Sequence, residues 1–453
     1  MSFPRYPAYK DSGVKWLGEV PKEWVIKPIK TLASCNDEVL DENTPPEYEF
    51  DYVEISGVDS IEGIKERTTV QFANAPSRAR RKVRSGDIIV STVRTYLRAI
   101  APVVEPTANM IVSTGFAVVR PQAVASSFLG YLFRGEFLIS EVIAKSVGVS
   151  YPAINASVLM GLKVPVPPPH EQTAIATFLD RETAKIDALV ADYRTLIELL
   201  QENRQAVISH AVTKGLDPTV PMKDSGVEWL EDVPEHWEVK PLKFIAIGKG
   251  GDGIQIGPYG SMLTDIQYDE PSSCKVYGQE NVISGDFDRG NRWAPDSTRY
   301  SLQGYEVEPG DILFTRKGSI GQCAIVPAGI SPGVIDSDTI RLRLDEAEAL
   351  NGFITLGFRS AHYVQAQVQV MKTGAILSGL NSSTIASLRF AVPLRSEQTQ
   401  ILDYLADEIG KIDSLITDAQ DAINLLQERR TALISAAVTG KIDVRGLVET
   451  EEA

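Results

Sequence analysis

Between Arg67 and Arg98 the chain places eight cations, Arg67, Arg78, Arg80, Arg81, Lys82, Arg84, Arg94 and Arg98, against one acid, Asp87. The local charge is +7, inside a chain whose 45 Lys and Arg and 60 Asp and Glu sum to −15. Basic residues at this density neutralise phosphates, whereas the acidic total argues against a protein that coats nucleic acid indiscriminately. Ser77, Ser91, Thr92 and Tyr96 are interleaved with them, hydroxyls able to bond phosphate oxygens or base edges. The second half carries a sparser set of the same kind: Tyr259, Ser261, Arg316, Lys317, Ser319, Lys372 and Thr373. A solvated charge run is the competing reading of both sets.

Catalysis finds no comparable support. Gly248, Gly250 and Gly253 spell G-x-G-x-x-G, but the IQIGPYGS that follows has Gly and Pro where a dinucleotide fold needs a helix, so a loop is expected. Residues 43–47, NTPPE, lack the aromatic side chain that would stack a flipped base. Phosphate-loop, nucleophile-elbow and H-E-x-x-H patterns are absent. Cys35, Cys274 and Cys323 are scattered, and His170, His210, His236 and His362 form no ligand cluster with them. Neither a zinc site nor a disulfide framework is expected. No window reaches the 18 apolar residues of a membrane span, and a cytoplasmic, reducing compartment fits.

The framework that must position the basic sets is a duplication. Residues 10–30, KDSGVKWLGEVPKEWVIKPIK, recur at 223–243 as KDSGVEWLEDVPEHWEVKPLK, identical at 13 of 21 positions and with both tryptophans kept. A second pair of matched stretches begins at Leu162 and Leu388 and runs through EQT, KID and LQE motifs. Both stretches have helical period: Leu179, Ile186, Tyr193, Leu200 and Val207 recur every seven residues, flanked by Leu189 and Leu196 or by Val190 and Ile197. The second copy offers Leu405, Ile412, Ala419, Leu426 and Leu433, with Ile409, Ile416 and Ile423. A helix of roughly 40 residues spans about 60 Å and needs a partner, and the other copy is the obvious one. Strand-like runs fill the intervals: YEFDYVEISGV, DIIVSTVR and TGFAVVRP in the first, CKVYGQENVI, DILFTR, CAIVP and TIRLRLD in the second. The division is a leading segment (1–24), a first variable domain (25–168), a long helix (169–213), and a linker with the second leading segment (214–237). A second variable domain (238–394), a second long helix (395–441) and an acidic tail (442–453) follow. The fold class is mixed α/β, of α+β type, with pseudo-two-fold symmetry.

The twice-used KDSGV-W-L--VP--W segment, the VP-P/L--EQT-I helix start and the KID-L and LQE-R stretches together resemble the specificity (S) subunits of type I restriction-modification systems. The resemblance covers nearly the whole chain. It implies two target-recognition domains joined by two long antiparallel coiled-coil helices, each domain reading one half of a split, asymmetric target in double-stranded DNA. It also implies a non-catalytic subunit on which two DNA-adenine methyltransferase subunits dock and restriction subunits join. S-adenosylmethionine and ATP with Mg are then bound by those partners and no cofactor by this chain. In family terms Gly257–Ser261 and the loops after Asp87 and Asp311 match places where recognition domains meet DNA. The spacing implied is two dissimilar boxes around about five to nine unread base pairs. Two other readings stay open here: an orphan DNA-binding regulator of the same fold, and a protein-interaction scaffold.

Overall fold

The computed structural model describes residues 3–248, 253–263, 266–268, 272–317, 321–373 and 380–447. The chain forms two compact units, one of residues 1–194 with 420–453 and one of residues 195–419. Each unit therefore owns half of each long helix. The first helix runs Pro169–Lys214 and the second Arg395–Val438.

In the first unit, KDSGV forms the turn of a hairpin between Tyr9–Asp11 and Glu19–Pro21. Asp11 accepts from the Gly13 amide and Ser12 from the Val14 amide, while Gly13 takes a φ of 67°, which explains a glycine at that place. Residues Val25–Pro28 then pair with Lys163–Val166, the strand that leads into the long helix. Two four-stranded sheets make the body of the domain. One is antiparallel, in the order Ile100–Pro102, Ile88–Ser91, Phe116–Pro121, Ala33–Cys35. The other, in the order Thr68–Gln71, Glu49–Val53, Met110–Ser113, Ala79–Lys82, contains one parallel pair. Ile88–Ser91 is buried at all four positions, as expected of a central strand covered on both faces.

The second unit repeats this plan. Its hairpin pairs Met222–Asp224 with Asp232–Pro234, and Glu238–Pro241 pairs with Arg389–Val392. The antiparallel sheet has the equivalent order, Cys323–Ile325, Ile312–Thr315, Thr339–Leu342, Ile254–Ile256, and the second sheet again holds one parallel pair, Cys274–Tyr277 with Gly333–Ile335. One expected strand ends early: CKVYGQENVI is a strand only over Cys274–Tyr277, after which Gln279–Ser284 is helical. The Asn281 side chain accepts from the Gly278 amide and fixes that helix start.

Within each unit the two helix halves run antiparallel, and the repeated motifs hold them so. In the first, Arg430 of LQERR bonds Asp187 of KID through Nε and Nη2 at 2.9 and 3.3 Å. Further along, Gly440 packs beside Trp24 and accepts from the Tyr9 hydroxyl. In the second, Arg204 of LQENR reaches Asp413 at 3.1 Å, and Gly215 packs beside Trp237 and Glu397. The expected seam is buried at Leu179, Ile186, Leu405, Ile412, Ile423 and Leu433 and half-buried at Tyr193, Leu200, Val207, Ile416 and Leu426. Leu189 corrects the expectation. It is 47% exposed, and Val190, one residue further, takes the buried place at 8%.

Candidate nucleic-acid interface

The EQT motif ties each domain to its helix. Glu171 accepts from Trp24 Nε1 at 3.0 Å and from the Tyr6 hydroxyl at 2.7 Å, and Glu397 accepts from Trp237 Nε1 at 3.0 Å. A carboxylate in the first turn of a helix also faces the positive end of its dipole. Burial next to Glu171 drives the Tyr6 hydroxyl well above the usual tyrosine range. Gln172 and Gln398 close the junction by donating to Pro167 and Pro393 carbonyls and accepting from the Ala125 and Leu350 amides.

A second repeated device braces the start of the central strand. Asp87 and Asp311 are almost fully buried and accept two bonds each, from Arg120 at 2.9 and 2.9 Å and from Arg343 at 2.7 and 2.9 Å. Each also accepts from the amide three residues before it, that of Arg84 or Glu308, across a glycine of φ 88° or 94°. The carboxylates hold the two guanidiniums above their ordinary pKa. These charges belong to the frame.

The opposite end of the same strand is different. In the first unit Ser91 leads into a turn of residues 92–98 in which Arg94 and Arg98 stand at φ 51° and 54°, uncommon for residues with a side chain. The turn is bonded to neighbours on both sides. Thr92 takes the Gly115 carbonyl with both its amide and its hydroxyl, and the Thr114 amide in that neighbouring turn donates to the Arg78 carbonyl. The Arg94 amide donates to Pro152. Arg78, Arg94, Tyr96 and Arg98 are thus brought to one end of the sheet, all exposed.

The rest of the basic cluster does not join them. Arg84 pairs with Glu38 at the braced end. Arg80 is half-buried with its guanidinium 4.8 Å from the Phe72 ring, and Lys82 is half-buried on the same edge strand. Arg81 is half-buried, its Nε lacks a hydrogen-bond partner, and burial lowers its pKa. Ser91 is 3% exposed and spends its hydroxyl on the Val93 carbonyl, so neither it nor the Thr92 hydroxyl stands free at the surface. Even at the exposed end, Arg78 pairs with Glu54 and Arg98 makes a two-bond pair with Glu136, both at 2.8 Å. Outside both basic sets, the loop of Val147, Val149 and Tyr151 also joins the Arg94 turn. The only signal for it was Gly148 and Pro152 punctuating a short apolar run.

In the second unit the corresponding end gathers Tyr259, Ser261, Arg316 and Lys317. Gly257 lies so close to the 336–337 peptide that an added Cβ would sit 1.6 Å from the Asp336 carbonyl oxygen, which requires glycine there. Arg316 Nη1 donates to the Ser337 carbonyl and Lys317 pairs with Asp338 at 2.7 Å. Tyr259 is 81% exposed. Ser319 and Gly250 lie outside the described residues, and of Lys372 and Thr373 only the backbone, at the end of helix His362–Thr373, is described. Gly248 and Gly253 belong to the loop before Ile254–Ile256, where no helix follows. Among the described residues no three His, Cys, Asp or Glu side chains come together as metal ligands, and no helix is long and apolar enough to cross a membrane.

Residues 21–198, which hold the first frame and its exposed end, match the type I restriction modification DNA specificity domain. Over nearly its whole length the chain is similar to specificity subunits of type I restriction-modification systems. At 22% identity over 454 residues it is similar to the EcoKI specificity subunit of Escherichia coli strain K12, spanning 96% of this chain and 92% of that one. At 21% over 446 residues it is similar to the StySPI specificity subunit of Salmonella potsdam, with the same coverage of 96% and 92%. Among solved structures, a chain from work on complex assembly and conformational transition of the type I R-M system shares the fold with a TM-score of 0.70 at 21% identity, over 93% of this chain and 99% of that one. The HsdS subunit from Thermoanaerobacter tengcongensis gives 0.51 at 22%, over 95% and 100%.

Proposed function

We propose that this chain is the non-catalytic, sequence-reading subunit of a type I restriction-modification complex, recognising two dissimilar half-sites in duplex DNA. The observation that carries this is the separation of frame from face. The side chains that repeat between the copies, Trp24 and Trp237, Glu171 and Glu397, Asp87 and Asp311, Asp187 and Asp413, are spent on packing, junctions and helix register. Those that differ, Arg94 and Tyr96 in one copy and Tyr259 and Lys317 in the other, stand exposed at the same end of the same sheet. One frame holding two unlike faces suits two unlike half-sites, so the target is asymmetric. Methylation and cleavage belong to partners, two DNA-adenine methyltransferase subunits and restriction subunits, which bind the S-adenosylmethionine and ATP with Mg.

Exchanging residues 25–168 for the first domain of another specificity subunit tests this. Modified-base sequencing of cells expressing the hybrid with its methyltransferase partner is expected to show one box changed and the other retained. A single continuous palindromic target, or both boxes changed, refutes the assignment of one box to each domain.

A further inference from the structure

One loop of the first unit is not accounted for by frame, junction or brace. Val147, Val149 and Tyr151 are 80%, 101% and 64% exposed, so three apolar side chains stand in solvent within five residues. The loop is nevertheless held in shape. Val147 and Ala153 exchange amide-to-carbonyl bonds of 2.9 and 3.0 Å, and Gly148 adopts a φ of 116°. It is also stitched to the Arg94 turn: the Arg94 amide donates to Pro152 at 2.7 Å, the Ile154 amide to Thr92 at 2.8 Å, and the Thr95 and Ser146 hydroxyls are 2.8 Å apart. The Arg94 guanidinium lies 4.7 Å from the Tyr151 ring, and among the described residues it makes no ion pair. A backbone held off its ordinary conformations at Arg94, Arg98 and Gly148, and bonded on both sides, presents its tip already shaped.

The cation beside this apolar tip selects the occupant. Arg94 favours a phosphate backbone, which brings the loop to the grooves of a duplex. There nearly every base-edge group is a polar donor or acceptor, and an isopropyl group gains nothing from them. The exception is the C5 methyl of thymine in the major groove. We infer that Val149 reads a thymine, packing on its methyl group within the half-site of the first domain, while Arg94, steadied by the Tyr151 ring, holds an adjacent phosphate. This rests on the DNA-reading function proposed above.

The test uses the full chain with its methyltransferase partner and a duplex carrying the target found by modified-base sequencing. Each thymine of the first-domain box is replaced in turn by uracil, which removes only the methyl. Burying one methyl-sized group corresponds to about a fourfold change in affinity. One uracil is expected to weaken binding by about fourfold for the unaltered chain and not at all for Val149→Ser, with the salt dependence unchanged. Val149→Ser replaces a fully exposed side chain, so its melting temperature should match that of the unaltered protein. The inference is overturned if the box contains no A·T pair, if no uracil weakens binding, or if the loss persists undiminished in Val149→Ser. It is also overturned if 2-aminopurine in the box brightens on binding the unaltered chain but not Val149→Ser, because Val149 then acts as a wedge between stacked bases. A complex with no preferred target at all refutes the DNA-reading function itself and this inference with it, a result distinct from all the others.

Discussion

Removing Asp187 and removing Asp413 are the same change in two copies of one motif, yet they should have unequal effects. Each carboxylate faces an arginine of the other long helix, Arg430 or Arg204. The Arg430 side chain is 7% exposed and bonds through two nitrogens, whereas Arg204 is 40% exposed and bonds through one. Arg430 also adds to the unfavourable surroundings of the buried Arg134 guanidinium, so loss of Asp187 leaves two cations with less compensation. Leaving a buried charge unpaired costs about 3 to 5 kcal/mol, and an exposed pair contributes roughly 0.2 to 1. Asp187 is itself 45% exposed, so solvent reaches one side of that pair, and about 2 to 3 kcal/mol is the appropriate figure. Asp413→Ala should cost under ~1 kcal/mol. Because a chain of two units need not unfold in one step, the assay is amide hydrogen exchange resolved along the helices. Asp187→Ala should lower protection in the first unit, near residues 183–190 and 427–434, by about 30- to 150-fold, and Asp413→Ala should change the second unit less than about fivefold. The double variant Asp187→Ala, Arg430→Met should recover part of the loss. Equal effects at the two sites, or no recovery, would show that burial of the arginine does not set the strength of the pair.

Three further outcomes follow from the structure. Ile186→Asp, at a position 6% exposed, should cost several kcal/mol in thermal unfolding, whereas Leu189→Asp, at 47%, should stay within about 1 kcal/mol; similar losses would restore Leu189 to the seam. Arg94→Ala should weaken DNA binding and reduce the salt slope by about one in titrations of the assembled complex, while Arg84→Ala, already paired with Glu38, should change it less; the reverse order would place the interface at the braced end of the sheet. Arg445 holds the Asp443 carboxyl below its ordinary range, so their contribution to stability is present above about pH 4 and lost as pH falls through the lowered value; Arg445→Gln should flatten that part of the acid-unfolding profile, and an unchanged profile would refute the coupling.

The duplication and the long helices were legible because they are written as identity and period. The purposes of the repeated motifs were not, because each joins residues far apart in sequence: Trp24 with Glu171, Asp87 with Arg120, Asp187 with Arg430. Leu189 and Val190 both fit the flank of a seven-residue seam, lying three and four positions after Ile186. In this helix pair the position four after it, Val190, faces the partner, a choice that spacing alone leaves open. The basic cluster looked continuous because its members are neighbours along the chain. The central strand Ile88–Ser91 separates Arg84 from Arg94, and a buried strand end turned Ser91 inward. The Val149 loop carried almost no signal, since loop shape depends on bonds to a turn some fifty residues earlier.

The division of the chain between its units also bears on how it is made. Residues 195–419 are contiguous and can complete their unit as soon as they have left the ribosome, whereas the first unit needs residues from 420 onward, Arg430 with its bond to Asp187 among them. At translation rates of about 5 to 20 residues per second, the stretch from Arg194 to Val438 takes roughly 10 to 50 s to appear. Over that interval the part synthesised first waits with its helix face uncovered, and the part synthesised later can finish before it. Nascent-chain folding should therefore run against the order of synthesis, and a holding chaperone would find its binding site on residues 169–194.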